Sequence, residues 1–170
     1  MEHLKSLTGI YYLGLGCGLW NKEEVIDWSD KVIVTIDNPP LELLEVSMMS
    51  KSKIDDIENK LFELSKIDDE EHSVQIVLSI IAEMLELKHI TIERAIRSTS
   101  RLLVHTGLSW ESRYYNLYSF DDSYDLACNG VHFEINEVEK EFINELEPFK
   151  KVISEFKELY FSVTRQEWAK

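Results

Sequence analysis

Six aromatic side chains fall between residues 110 and 124: Trp110, Tyr114, Tyr115, Tyr118, Phe120 and Tyr124, a density far above the 11% of the whole chain. From Asp121 to Glu147 there are nine carboxylates (Asp121, Asp122, Asp125, Glu134, Glu137, Glu139, Glu141, Glu145 and Glu147) against a single lysine, Lys140. Carboxylates steer the approach of a positively charged protein, and rigid aromatic rings supply contact area. The chemistry these residues suit is therefore recognition rather than catalysis. The candidate contact residues are Trp110, Tyr114, Tyr118, Asp121, Asp122, Tyr124, Asp125, Glu137, Glu141 and Glu145. The competing reading, a solvated helix face above an aromatic core, carries equal weight, and some of the six rings belong to the core in either case.

Other chemistry finds little to build on. His3, His72, His89, His105 and His132 stand alone, without the paired spacings of a metal site. Gly14-x-Gly16-x-Gly18 fails as a dinucleotide loop, because Leu19 stands where the third glycine of the fingerprint is needed and no strand precedes it. Cys17 and Cys128 lack the neighbours of a catalytic thiol, although His132 follows Cys128 by four residues. Both cysteines read as free, buried thiols in a reducing cytosol. Neither a nucleophile elbow nor a Walker loop is present. The expectation is no enzyme activity, no metal and no cofactor. Arg94, Arg97 and Arg101 share one helix face and are expected to pair with carboxylates of neighbouring helices or to be solvated. The acidic run Ile67–Ser73 reads as the N-terminal turn of the helix that follows it.

The elements that must carry these residues are helical almost throughout. Residues 3 to 13 suit a short helix through Leu4, Leu7, Ile10 and Tyr11, with the glycines after it as a stop and loop. Asn21 caps the next helix and Glu24, three residues on, completes a capping box. Val25, Ile26, Ser29, Val32, Ile33 and Ile36 recur on one face, with Trp28 at its edge. Pro39 and Pro40 end that helix, and a stripe through Leu41, Leu44 and Met48 opens another. Ser52 to Asp55 has the form of a capping box ahead of Ile54, Ile57, Leu61 and Leu64. Val74 to Leu87 is apolar on nearly every side, so it must be the central helix. Trp28 and the Leu41–Met48 stripe are expected to pack against it. Thr91 caps a helix through Leu103 that stops at Gly107, and Ser109 is a candidate cap for Trp110–Phe120. Val131-His132-Phe133-Glu134-Ile135 alternates like a short strand or an extended linker. Asn136 and Glu139 suggest another capping box, and Pro148 suits the first turn of a last helix striped by Phe149, Val152, Phe156, Tyr160 and Val163.

These elements describe an all-α fold, a single compact bundle of about eight helices over residues 1–170, with one short extended segment near 131–135. A chain of 170 residues, 44% hydrophobic, is one domain with a sizeable core. The formal charge of -14 repels nucleic-acid phosphates and anionic membranes and attracts basic proteins. The apolar patch near the N-terminus is short and broken by glycine, so it is not read as a signal peptide. No run approaches the roughly 18 apolar residues of a membrane span. A cytoplasmic protein is expected.

GLWNKEEVIDWSDKVI followed by IDNPPLELLEVS resembles small acidic helical immunity proteins of bacterial toxin–immunity systems: a Gly-Leu turn, an acidic amphipathic helix with a tryptophan, then a Pro-Pro and Leu-Glu-Leu helix. The resemblance covers residues 14–47. It implies a protein that binds and neutralises a cognate secreted toxin, often a nuclease, by covering its active site. It assigns no contact residue. Gly14-Leu15-Gly16-Cys17-Gly18 is richer in glycine than that pattern. The alternatives are a helical adaptor or oligomeric structural protein without a toxin partner, and a small enzyme whose site is assembled from distant residues.

Overall fold

A computed structural model describes residues 1–168 of the chain. The described residues form an all-α bundle: α1 (Glu2–Gly16), α2 (Lys22–Ile33), α3 (Leu41–Ser47), α4 (Ile54–Leu64), α5 (Glu70–Glu86), α6 (Ile92–His105), α7 (Tyr115–Cys128), α8 (Ile135–Leu146) and α9 (Ile153–Thr164), with 3-10 turns at Leu108–Trp110 and Glu147–Val152. Among these residues no strand forms and no helix is long and apolar enough to cross a membrane.

Helix α5 is the axis. Val74, Ile76 to Ala82 and Met84 are buried, and α1, α6, α8, α9 and the Glu147–Val152 turn all pack on it. Ser79, buried in its middle, donates its hydroxyl to the Ile76 carbonyl at 2.6 Å, which removes the cost of an unpaired polar group. Asp69 caps α5 by accepting from the His72 N–H at 2.9 Å, so the second half of the acidic connector is the helix's first turn.

Helix α1 runs further than its glycines suggest. Gly14 and Gly16 are helical, and the chain leaves the helix at Gly18, whose φ is +77°. A Cβ on Gly14 would lie 2.2 Å from the Trp20 ring, so this glycine serves close approach rather than a loop. Trp20 and Trp28 stack on the two faces of Tyr11 at centroid distances of 4.2 and 4.0 Å. Trp28 is thus fully buried and meets α1, not α5. α2 packs mainly on α3, and α3 on α4 rather than on α5; α3 buries Leu43 and Val46, whereas Leu41 and Met48 of the expected stripe are exposed.

Asn21 and Glu24 close the expected capping box with two 2.9 Å bonds. At α4 the expected box does not form: Lys53 takes the cap position, its N–H donates to Asp56 at 3.3 Å, and a lysine side chain has no acceptor to return the bond. Thr91 caps α6 by accepting from the Arg94 N–H at 3.1 Å, and Gly107 follows at φ +73°. Three later boundaries also differ from the sequence reading. Ser109 lies in a 3-10 turn and α7 starts at Tyr115, because Gly107 and the turn after it reorient the chain first. Residues 131–134 are irregular, having no neighbouring strand to pair with, and Ile135 already begins α8, so Asn136 is inside the helix. Pro148 is the second residue of the 3-10 turn Glu147–Val152, which runs directly into α9. Trp168 folds back, its ring edge-on to Phe156 at 5.2 Å.

Candidate protein-recognition surface

The residues singled out by composition lie on α7, α8 and the turn that precedes α7, and the structure sorts them into three groups. The first is core. Tyr114 is 1% exposed; its hydroxyl donates to Glu71 at 2.8 Å and accepts from the Gln75 amide at 3.2 Å. Burial and the Glu71 contact raise its pKa. Its ring stacks near Phe149 at 6.1 Å, and the Arg113 guanidinium lies 5.7 and 5.8 Å from these two rings. Tyr124 is half-buried, its pKa raised mainly by burial. Phe120 meets Phe142 edge to face at 5.5 Å and ties α7 to α8.

The second group is internally paired. Arg97 on α6 bridges Asp121 and Asp125, one turn apart on α7. The Asp125 carboxyl is held below the usual carboxylate range, first by its hydrogen bonds from Arg97 and then by that charge; the guanidinium is pushed up in turn. Of the three arginines on α6, Arg97 makes the expected inter-helix pair. Arg94 instead donates to the Gly18 and Leu19 carbonyls at 3.3 and 2.9 Å, closing the end of α1, and Arg101 is exposed.

The third group is free surface. Trp110 is 80% exposed, and its ring stands 6.4 Å from Tyr118. Tyr115, Tyr118 and Asp122 follow at three- and four-residue steps along one side of α7, with Tyr115 and Asp122 exposed and Tyr118 intermediate. Glu137, Glu141 and Glu145 recur every four residues on α8 and are exposed. Asp122 and these three glutamates have no ion-pair partner among the described residues, whereas Glu147, at the end of the same tract, pairs with Lys150 at 3.0 Å. At 100° per residue the 137/141/145 row lies on the flank of α8 opposite Glu139 and Ile143. Ile143 instead borders a groove of about 350 Å³ that Ala82, Leu85, Ile92 and Leu146 line.

A second feature of this region escaped the composition argument. Leu126, Val131, Phe133 and Ile135 surround the α7–α8 turn and are all exposed. Their signal was present in the alternation of Val131–Ile135, which marks an amphipathic edge in a strand but has no such meaning in a turn.

Neither cysteine is disulfide-bonded. Cys17 is buried as expected, its thiol pushed up to about 12 by burial; Cys128, expected to be buried, is instead exposed at the last residue of α7. Among the described residues no group of three or more histidine, cysteine or carboxylate side chains is arranged to hold a metal ion. No family model, curated protein or solved structure matches this chain.

Proposed function

We propose that this protein binds a basic protein partner through the exposed carboxylates of α7 and α8, and that its role is that of an immunity protein whose partner is a secreted toxin domain. The observation that carries the reading is the Glu137/Glu141/Glu145 row. Like charges one turn apart on a helix repel and destabilise it slightly, so an unneutralised row contributes nothing to this fold. It is suited to meeting cations from outside. A nuclease, whose cleft is basic because it holds phosphates, is a natural complement: carboxylates occupy the positions phosphates would take. Trp110, Tyr115 and Tyr118 supply rigid contact area along α7.

The resemblance over residues 14–47 supplies the toxin–immunity part of the reading, and the charge of -14 supports the basic partner. Co-expression with the product of the adjacent gene tests both. That product should be toxic alone, harmless with this chain, and should copurify with it. A neighbour that is neither toxic nor copurified contradicts the toxin–immunity assignment. Charge reversal belongs at Asp122, Glu137 and Glu141 rather than at Asp121 or Asp125, because reversing the latter two would break the Arg97 bridge and confuse lost binding with lost structure.

A further inference from the structure

The turn between α7 and α8 holds apolar side chains in water by two successive backbone devices. Gly130 takes the left-handed conformation at φ +70°, its N–H donates to the Ala127 carbonyl at 3.0 Å, and the Val131 N–H donates to the Leu126 carbonyl at 2.8 Å. This is a Schellman closure, the motif that sets the residue after the glycine, Val131, against the residue five before it, Leu126. Within three residues the chain turns again: the Phe133 N–H donates to the Val131 carbonyl at 2.9 Å across His132, whose φ is +65°. A three-residue turn of positive φ at a residue bearing a Cβ is strained, and glycine would adopt it freely. The result is that Leu126, Val131, Phe133 and Ile135 remain 39%, 40%, 46% and 38% exposed. Phe133 and Ile135, with Ala127, form the apolar part of a concave surface of about 580 Å³ whose remaining walls include His132, Glu134 and Asn136; Leu126 and Val131 stand beside it.

Folding alone gains little from four half-exposed apolar residues presented through a strained turn. Strain of this kind at a surface marks a place where conformation is held for contact, and an apolar patch with a polar rim marks a protein interface. Charge decides the occupant. Glu134 and Glu137 are exposed beside the patch, and the chain carries -14. A second copy, an anionic membrane or a nucleic acid would each bring negative charge against negative charge.

We infer that the α7–α8 turn is the apolar anchor of the acidic surface, seating a basic amphipathic segment of the protein partner. Its apolar side chains enter between Phe133 and Ile135, and its lysines or arginines meet Glu134, Glu137 and Glu141. This rests on the reading that the partner is a basic protein. Because the Schellman closure fixes the turn beforehand, little ordering is needed on binding.

The test uses the isotope-labelled full chain and three synthetic peptides of about 18 residues, long enough to form a helix: an amphipathic leucine–lysine sequence, the same composition scrambled, and a leucine–glutamate counterpart. The leucine–lysine peptide should shift the amides of Val131 to Ile135 saturably. Phe133→Ser should weaken it by about tenfold without changing Tm, since the ring is half-exposed. His132→Gly, which relaxes the turn, should also weaken it without lowering Tm. The scrambled peptide should bind less tightly and the glutamate peptide not at all. Shifts confined to the Glu137/Glu141/Glu145 row, with Phe133→Ser without effect, would overturn the anchor and leave the acidic-surface reading standing. Equal response to the glutamate peptide, or to none of the three, would overturn the anchor too. So would a doubled mass that Phe133→Ser abolishes, because the occupant is then a second copy.

Discussion

Arg97 and Gly14 are the residues where a single side chain decides most. Arg97 satisfies two of the carboxylates that composition alone would assign to a partner, and it does so from a helix whose arginines had no obvious partner in sequence. Asp125 ionises more readily in the folded state than in the unfolded chain. Its pairing therefore stabilises the fold above the ordinary carboxylate range of about 4, and the contribution is lost as the pH falls through the lower folded value. Arg97→Gln should return the Asp125 titration, followed by carboxyl NMR, to the ordinary range. Because Asp125 is exposed and its pairing is screened by solvent, the accompanying fall in the urea midpoint should be small. An unchanged titration would contradict the bridge. Gly14→Ala sets two effects against each other: alanine gains about 1 kcal/mol of helix propensity, but its Cβ falls on the Trp20 ring. Overpacking costs of about 1–3 kcal/mol make the net change destabilising, which a urea midpoint below that of the parent would register.

Elements were legible where local chemistry acts alone and illegible where the tertiary surroundings choose. The Asn21–Glu24 box, the Thr91 cap and the nearly all-apolar α5 follow from nearest neighbours and period, and each is where the residues place it. The starts of α7, α4 and α8 differ from the sequence reading, because Ser109, Ser52 and Asn136 are good caps in principle and a different neighbour took the position; of the two readings for 131–135, the linker rather than the strand holds for 131–134. The aromatic segment shows the limit most clearly. Tyr114 and Trp110 are four residues apart and chemically similar, yet one is bonded to Glu71 in the core and the other stands in water. Trp110 ends the 3-10 turn after Gly107, and only the turn at residues 111–113, closed by the Tyr114 N–H on the Glu111 carbonyl at 2.9 Å, separates them. Two predictions belong at this scale. Asn21→Ala should cost about 1 kcal/mol through the α2 cap, read as a lowered urea midpoint. With a thiol-reactive dye, one cysteine per native chain, Cys128, should label promptly, and Cys17 only on unfolding; equal rates would contradict the buried end of α1.

At the scale of the molecule, an all-α bundle around α5 was readable from hydrophobic period, whereas the division of the acidic tract into paired and unpaired halves was not, since pairing depends on which helix lies alongside. The division leaves Asp122 and the 137/141/145 row facing outward on a chain of charge -14, and that exposed charge is what the proposed function rests on. Its most direct test is the association rate with the product of the adjacent gene, measured from low to high salt for the parent and for the triple substitution Glu137→Lys, Glu141→Lys, Glu145→Lys. Surface charge acts mainly through the on-rate and is screened within about 8 Å at physiological ionic strength. The parent's rate should therefore fall steeply with salt, and the triple variant should be slower at low salt with a flatter dependence and an unchanged Tm. A rate that neither salt nor the triple substitution moves would contradict the claim that this acidic surface recruits the partner.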